Sequence, residues 1–175
     1  MTGIPGLTTE RLTLVPFSDQ YLTAAYVGWL NDPDVTRFSE NRHVHHTLES
    51  CREYMRQHIR TPHYFWAITI TDSTAHIGNI TATLDEFNLV ADVGLLIGDK
   101  SFWGSGFGTE AWQAVLGYLL TEVQCRKIEA GAMAINAGMI SIFGKSKMLE
   151  EGRRSKHFLL NDQEIDLVHY AIFGK

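Results

Sequence analysis

The sequence predicts a single α+β domain with a central, mixed but mostly antiparallel twisted sheet of about seven strands flanked by helices. Three observations predict it. Residues 64–97 fall into three successive strand-like runs separated by turn residues, the pattern of an antiparallel meander. That meander runs into Trp103-Gly104-Ser105-Gly106-Phe107-Gly108, and helical periodicity follows at once. A strand, a helix and two more strands then complete a chain of 175 residues, a length that suits one core.

Taken in order, residues 1–9 read as a flexible arm. Leu12 and Leu14 alternate with Arg11, Thr13 and Val15, which predicts a strand over 11–17. Ser18 is placed to cap a helix, with Asp19 near its positive end and Leu22, Ala25, Tyr26, Trp29 and Leu30 at helical spacing. Asn31-Asp32-Pro33 ends that helix and starts a short one, Asp32 capping and Pro33 at its first position. Thr47 caps the next, whose inner stripe is Leu48, Cys51, Tyr54, Met55, His58 and Ile59, and Pro62 limits its end. Strands follow over 64–71, 76–84 and 90–97, joined by turns at 72–74 and 85–88. A helix over 108–121 presents Trp112, Val115, Leu116 and Leu119. A strand over 126–133, a helix over 137–145, and strands over 152–160 and 163–173 finish the chain.

Composition excludes several function classes. The net charge of −5 gives no basic surface for nucleic-acid phosphates. Two cysteines, Cys51 and Cys125, have no CxxC partner, so neither a disulfide framework nor a zinc site is expected. The start has no signal-peptide pattern, and no apolar run approaches the ~18 residues of a spanning helix. These features lead us to expect a cytoplasmic protein without a membrane partner. His43, His45 and His46 form an HxHH cluster, but no cysteine or carboxylate at ligand spacing joins it, so no metal is expected. Trp29, Tyr54, Tyr64 and Trp66 are candidates for lining a pocket or for core packing. Arg153, Arg154 and Lys156 form a small basic patch, a contact for an anion or a solvated strand face.

The order strand, glycine loop, helix is a device for binding phosphate. The first turn of a helix leaves backbone N–H groups unpaired, and glycine lets an anion approach the backbone closely. A dinucleotide site needs GxGxxG in an early βαβ unit; here the spacing is GxGxG, with Thr109 where a third glycine would stand, after a meander. A P-loop needs GxxxxGK[ST], but upstream of Gly144-Lys145-Ser146 the required glycine is Met139. A coenzyme A pyrophosphate loop and a ligand-free glycine turn both remain.

Several ordered segments resemble the GNAT superfamily of N-acetyltransferases, in the branch of ribosomal-protein N-terminal (alanine) acetyltransferases. They are Thr9-Glu10-Arg11-Leu12-Thr13-Leu14, Trp29-Leu30-Asn31-Asp32-Pro33-Asp34-Val35, Ile77-Gly78-Asn79-Ile80, Asp92-Val93-Gly94-Leu95-Leu96-Ile97, the run Trp103 to Ala111, the set Asn136, Gly138, Ile140, Phe143 and Lys145, then Glu151-Gly152 and Gln163-Glu164-Ile165-Asp166. The resemblance covers nearly the whole chain. It implies a GNAT-like domain in which a splayed strand pair holds acyl-CoA, the pantetheine arm lying along Val93–Ile97. It implies cofactor contacts at Leu95, Leu96, Ile97, Trp103, Gly104, Ser105, Gly106, Phe107, Gly108, Thr109, Asn136, Phe143 and Lys145. Gly94 fits a strand bulge, or simply eases packing.

The implied activity is transfer of an acetyl group from acetyl-CoA to a primary amine. The acceptor is a small molecule of amino-sugar, aminoglycoside or polyamine type, or a protein N-terminus. The alternative is a CoA-binding protein without turnover. Homodimers are common in the family. Such transfer needs a base for the amine, donors for the oxyanion and a route for thiolate departure. Asp92 is the candidate base, with Glu86 or a water-relayed base as alternatives. Where relatives carry serine or tyrosine as an acid, this chain has Met139 and Phe143, which donate no useful proton. Lys147-Met148 replaces the family's Gly-Phe, where glycine would end the helix in a left-handed turn.

Overall fold

Alternating side chains organise the chain into one sheet with two buried faces. In the computed structural model, which describes residues 4–59 and 63–174, the strands are β1 (Leu7–Thr8), β2 (Leu12–Pro16), β3 (Tyr64–Ile70), β4 (His76–Asp85), β5 (Val90–Ile97), β6 (Lys127–Met133), β7 (Leu149–Leu160) and β8 (Gln163–Phe173). They form an eight-stranded sheet in the order β1-β2-β3-β4-β5-β6-β8-β7. Every adjacent pair is antiparallel except β5–β6. The strand beyond the expected number is β1. From residue 4 on, the expected free arm lies against the sheet: Trp66 Nε1 donates to the Pro5 carbonyl at 2.7 Å and β1 pairs with β2. Residues 1–3 lie outside the described residues.

The helices are α1 (Ala24–Asn31), α2 (Pro33–Thr36), α3 (Leu48–Ile59), α4 (Phe107–Thr121) and α5 (Ala137–Lys145). One sheet face buries Leu12, Leu14, Ile68, Ile80, Val93 and Ile128 against Trp112, Val115 and Leu119 of α4 and Phe143 of α5. The other buries Phe65 and Ala67 against Tyr26 and Leu30 of α1 and Cys51 and Met55 of α3. Strand β3 therefore reads as a nearly continuous apolar run, because both of its faces are covered.

Caps explain most helix starts and correct one expectation. Ser18 makes no capping bond; Asp19–Tyr21 form a 3₁₀ turn instead. Helix α1 begins later, where Thr23 Oγ1 accepts from the Tyr26 N–H at 3.2 Å. Phe17 and Leu22 are both buried, which spends the intervening residues on a tight turn. Asp32 caps α2 with Pro33 at its first position, and Thr47 Oγ1 accepts from the Ser50 N–H. Leu48 and Tyr54, expected in the α3 stripe, are exposed, and Pro62 lies outside the described residues. At the end of α5 the left-handed turn is kept without glycine. Lys147 has φ +58°, the Met148 N–H donates to the Phe143 carbonyl at 3.0 Å, and the Lys147 N–H to the Gly144 carbonyl at 3.1 Å. This is a Schellman ending, anchored by buried Met148.

Candidate active site

Strand β5 departs from its parallel neighbour part-way along. Val90, Ala91 and Asp92 pair with Lys127, Ile128 and Glu129, and there the pairing stops. Strand β5 stays paired with β4 through Ile97, while β6 continues beside β8 through Met133. The edge of Val93–Ile97 facing β6 is thus left without strand partners. The β4–β5 register runs through Gly94 unbroken, so the expected bulge is absent. Glycine there avoids crowding, since a Cβ would lie 3.1 Å from Thr81 Oγ1.

Beyond β5 the glycine loop turns into α4. Gly104 and Gly106 have φ +73° and +85°, left-handed conformations that other residues adopt at a cost. The first bond into the helix runs from the Glu110 N–H to the Gly106 carbonyl at 3.0 Å. The N–H groups of Phe107, Gly108 and Thr109 precede it and have no intrahelical acceptor. Gly108 lets α4 approach β5 and α5: a Cβ would lie 3.3 Å from Ile142 Cδ1 and 3.4 Å from Leu95 Cδ2. Trp103 Nε1 donates to the Ile97 carbonyl at 2.7 Å and fastens the loop to the strand end.

A cleft of about 570 Å³ opens over these parts. Leu95, Leu96, Ile97, Trp103, Gly104, Gly106, Gly108, Thr109, Asn136 and Lys145, all among the expected cofactor contacts, line it. Asn136 also caps α5, its Oδ1 accepting from the Met139 N–H at 3.2 Å. Ser105, Phe107, Phe143 and Asp92 do not line the cleft. Phe143 is fully buried between Trp112 and Tyr170, in the core rather than on the cofactor path. Trp66 is likewise core and not pocket. Gly144-Lys145-Ser146 sits at the C-terminal end of α5, where helix carbonyls rather than N–H groups are free, so it is no phosphate loop. Of the basic patch, Arg153 pairs with Glu150 and Asp166, and Lys156 with Glu164.

Asp92 occupies the last rung before the strands part, opposite Glu129. Its carboxyl keeps contact with solvent while crowded by protein. That crowding, and secondarily the Glu129 charge, push its pKa up to about 6. Glu129 is in turn held by Lys127, whose Nζ lies 2.6 Å from both Glu129 Oε2 and Glu151 Oε1.

Some site residues escaped the sequence reading. Asp34, Val35, Arg37, Phe38 and Ser39 form the outer wall of the cleft, and Ser141 adds a hydroxyl beside Met139. Ser141 and Lys145 share a face of α5 at i, i+4, a spacing visible in the sequence. A clamp also braces the loop. Glu110 accepts from Thr9 Oγ1 at 2.6 Å, the Arg11 N–H at 2.9 Å and Arg11 Nε at 2.7 Å. Arg11 Nη1 donates to the Ser105 carbonyl at 3.1 Å, and the guanidinium lies 4.2 Å above the Phe107 ring. Burial alone would raise the Glu110 pKa, but these donors hold it below the ordinary range.

A splayed strand pair beside a glycine loop, with this order of elements, recurs among known proteins. The family model described as an acetyltransferase (GNAT) domain matches residues 11–149. The chain belongs to the GNAT acetyltransferase family. It is an acetyl-CoA-dependent N-acetyltransferase by that membership. Solved structures share its fold. An acetyltransferase (GNAT family) from Bacillus anthracis superposes with a TM-score of 0.82 at 20% identity, covering 97% of this chain and 98% of that one. RimL, a ribosomal L7/L12 alpha-N-protein acetyltransferase in complex with coenzyme A, gives 0.84 at 17%, covering 97% and 98%. A spermidine N-acetyltransferase from Vibrio cholerae in complex with CoA and spermine gives 0.83 at 17%, covering 94% and 96%. No curated protein matches the sequence. Among the described residues, no helix of this acetyltransferase is long and apolar enough to cross a membrane.

Proposed function

We propose that this acetyltransferase moves the acetyl group of acetyl-CoA directly to a primary amine in a ternary complex, with Asp92 as the base. The acceptor belongs to a small molecule or a protein N-terminus; RimL and the Vibrio cholerae enzyme are named for one class each. The observation that carries the reading is the parting of β5 from β6 after Asp92, next to a glycine loop with unpaired N–H groups.

Bound acetyl-CoA supplies an activated thioester. The free edge of Val93–Ile97 holds the pantetheine arm through backbone pairing, and a strand N–H there polarises the acyl carbonyl. The N-terminus of α4, with Gly104 and Gly106, receives the pyrophosphate. Asp92, ionised at neutral pH, takes the proton of the amine. It precedes Leu95 by three residues, about 10 Å along a strand, so the proton passes through water. Met139 donates no proton to the departing thiolate. Water and the Ser141 hydroxyl remain as donors in the cleft.

The test is release of free thiol from acetyl-CoA across a panel of amines, with mass spectrometry of the acceptor. One acetylated amine per thiol supports the reading. Tight acetyl-CoA binding without amine-dependent thiol release would mean a CoA-binding protein instead.

A further inference from the structure

Two cavities meet the segment 33–45. One is the acyl-CoA cleft. The other, also of about 570 Å³, is bounded by α1 and α2 residues, by Asn41–His45, and by Leu160 and Asn161 at the tip of the β7–β8 hairpin. Arg37 lines both.

The second chamber is one-sided in charge. Its ionisable lining residues are Arg37, Arg42, His43 and His45, and no carboxylate lines it. This runs against the composition of a chain with net charge −5; between Val35 and Leu48 the only acid is Glu40. The neighbouring carboxylates are already engaged. Glu40 pairs with Arg42 at 2.6 Å and approaches His43 at 4.0 Å, while Asp32 and Asp34 both bind Lys100, at 2.8 and 2.9 Å. Arg42 is further fixed by the Ser39 carbonyl and reaches the Leu159 carbonyl, which ties the chamber wall to the hairpin tip. Arg37 differs from all of these. Its guanidinium lies 5.0 Å over the Phe38 ring and has no carboxylate partner among the described residues. Stacking orients it, and its charge is left for a ligand. Asn41 and Asn161 add side-chain amides to the lining, while the Asn31 amide is spent on the Val27 and His46 carbonyls.

We infer that the acceptor of this enzyme carries an anionic group, a carboxylate or phosphate, which the chamber receives with Arg37 as the selecting residue while its amine enters the cleft. The inference rests on the acetyl-transfer reading above and narrows its acceptor class. It turns away from the polyamine and aminoglycoside types among the expected acceptors, because the charge that meets the ligand is that of the chamber and not of the whole chain. Charge-assisted bonds from arginine to carboxylate or phosphate are about twice as strong as neutral ones. The chamber volume lies within the range of small-molecule sites, which favours a small amine over the N-terminus of an acidic peptide.

The experiment compares the full-length enzyme with Arg37→Gln and Arg37→Lys on matched amines: phosphoethanolamine against ethanolamine, an amino acid against its amide, with spermidine and an acidic peptide beside them. Thiol release gives kcat/KM, and melting shifts in the presence of coenzyme A report binding without turnover. The wild type should favour the anionic member of each pair by about tenfold, through KM. Arg37→Gln should bring that ratio toward one, and Arg37→Lys should restore part of it, which a merely unfolded variant would not do. Equal use of both members, preference for spermidine, or an unchanged ratio in Arg37→Gln overturns the inference. So does an acidic peptide used better than every small anionic amine. If no amine is acetylated but phosphoethanolamine raises the melting temperature in an Arg37-dependent way, the chamber reading stands and the acetyl-transfer reading falls. If neither occurs, both fall.

Discussion

Asp92 and Glu129 form the last rung of the β5–β6 ladder, and their coupling makes the base testable by sign as well as by loss. Asp92→Asn should lower kcat by about 10²–10⁴-fold at pH 8, the usual worth of a positioned base, and leave acetyl-CoA affinity unchanged. With a pKa of about 6 in the wild type, the rate should hold a plateau above pH 7. It should fall to about a tenth of that plateau at pH 5, because only the ionised carboxylate accepts the proton. Neighbouring strands lie about 4.8 Å apart. Two unit charges at that separation in water repel by about 0.9 kcal/mol, or about 0.6 pH units. Glu129→Gln removes this repulsion and should move the acidic limb down by that amount. Lys127→Gln leaves Glu129 unneutralised and should move the limb up. A pH–rate profile of the three variants against a small amine measures all of this. An unmoved limb in both neighbours, with near-normal turnover in Asp92→Asn, would refute the assignment and turn attention to Glu86.

Other consequences are checked more simply. Gly106→Ala puts a side chain at φ +85°, which costs about 1–2 kcal/mol, and calorimetry should show acetyl-CoA binding weakened about tenfold. Gly117→Ala on the exposed side of α4 meets nothing within 4 Å; it should leave affinity unchanged and stabilise the fold by about 0.5–1 kcal/mol. Lys147→Gly relieves the left-handed residue that ends α5 and should raise stability by about 0.5–1 kcal/mol in urea, the gain being what remains after glycine's greater freedom in the unfolded chain. His76 is packed among Phe17, Tyr21, Tyr26 and Trp29, its Nε2 donating to the Gly78 carbonyl and its Nδ1 without a partner, and burial brings its pKa down to about 4. The neutral ring is the folded form, so its contribution is complete above pH 6.5 and is lost as pH falls toward 4, up to about 3 kcal/mol. His76→Gln should flatten that part of the stability curve, and parallel curves for the two proteins would contradict the reading.

The legible parts of the fold were those with local signals. Strands β5 and β8 and helix α5 have the predicted bounds, because turn residues precede both strands and Asn136 caps the helix. The glycine loop was legible because glycines clustered at a strand-to-helix junction mark a backbone that turns through left-handed conformations and stays bare of side chains. The start of α1 was not. Ser18 and Thr23 are equally good caps in sequence, and burial of Phe17 and Leu22 decides between them. Nor does any local pattern mark where β5 leaves β6, because the parting depends on how two strands separated by a whole helix are held. The Glu110 clamp joins residues about a hundred positions apart, and Arg37 stands out only once its acidic neighbours are seen to be paired elsewhere. Phe143 shows the opposite failure: an α5 position expected to face the cofactor turns into the core, where it stacks on Tyr170.

The most direct test of the cradle is a coenzyme A titration of the isotopically labelled protein, followed through backbone amide resonances. The N–H groups of Val93–Ile97 and Gly104–Thr109 should shift most and saturate together, while those of β7 stay in place. Saturable binding whose shifts fall outside both segments would contradict the account.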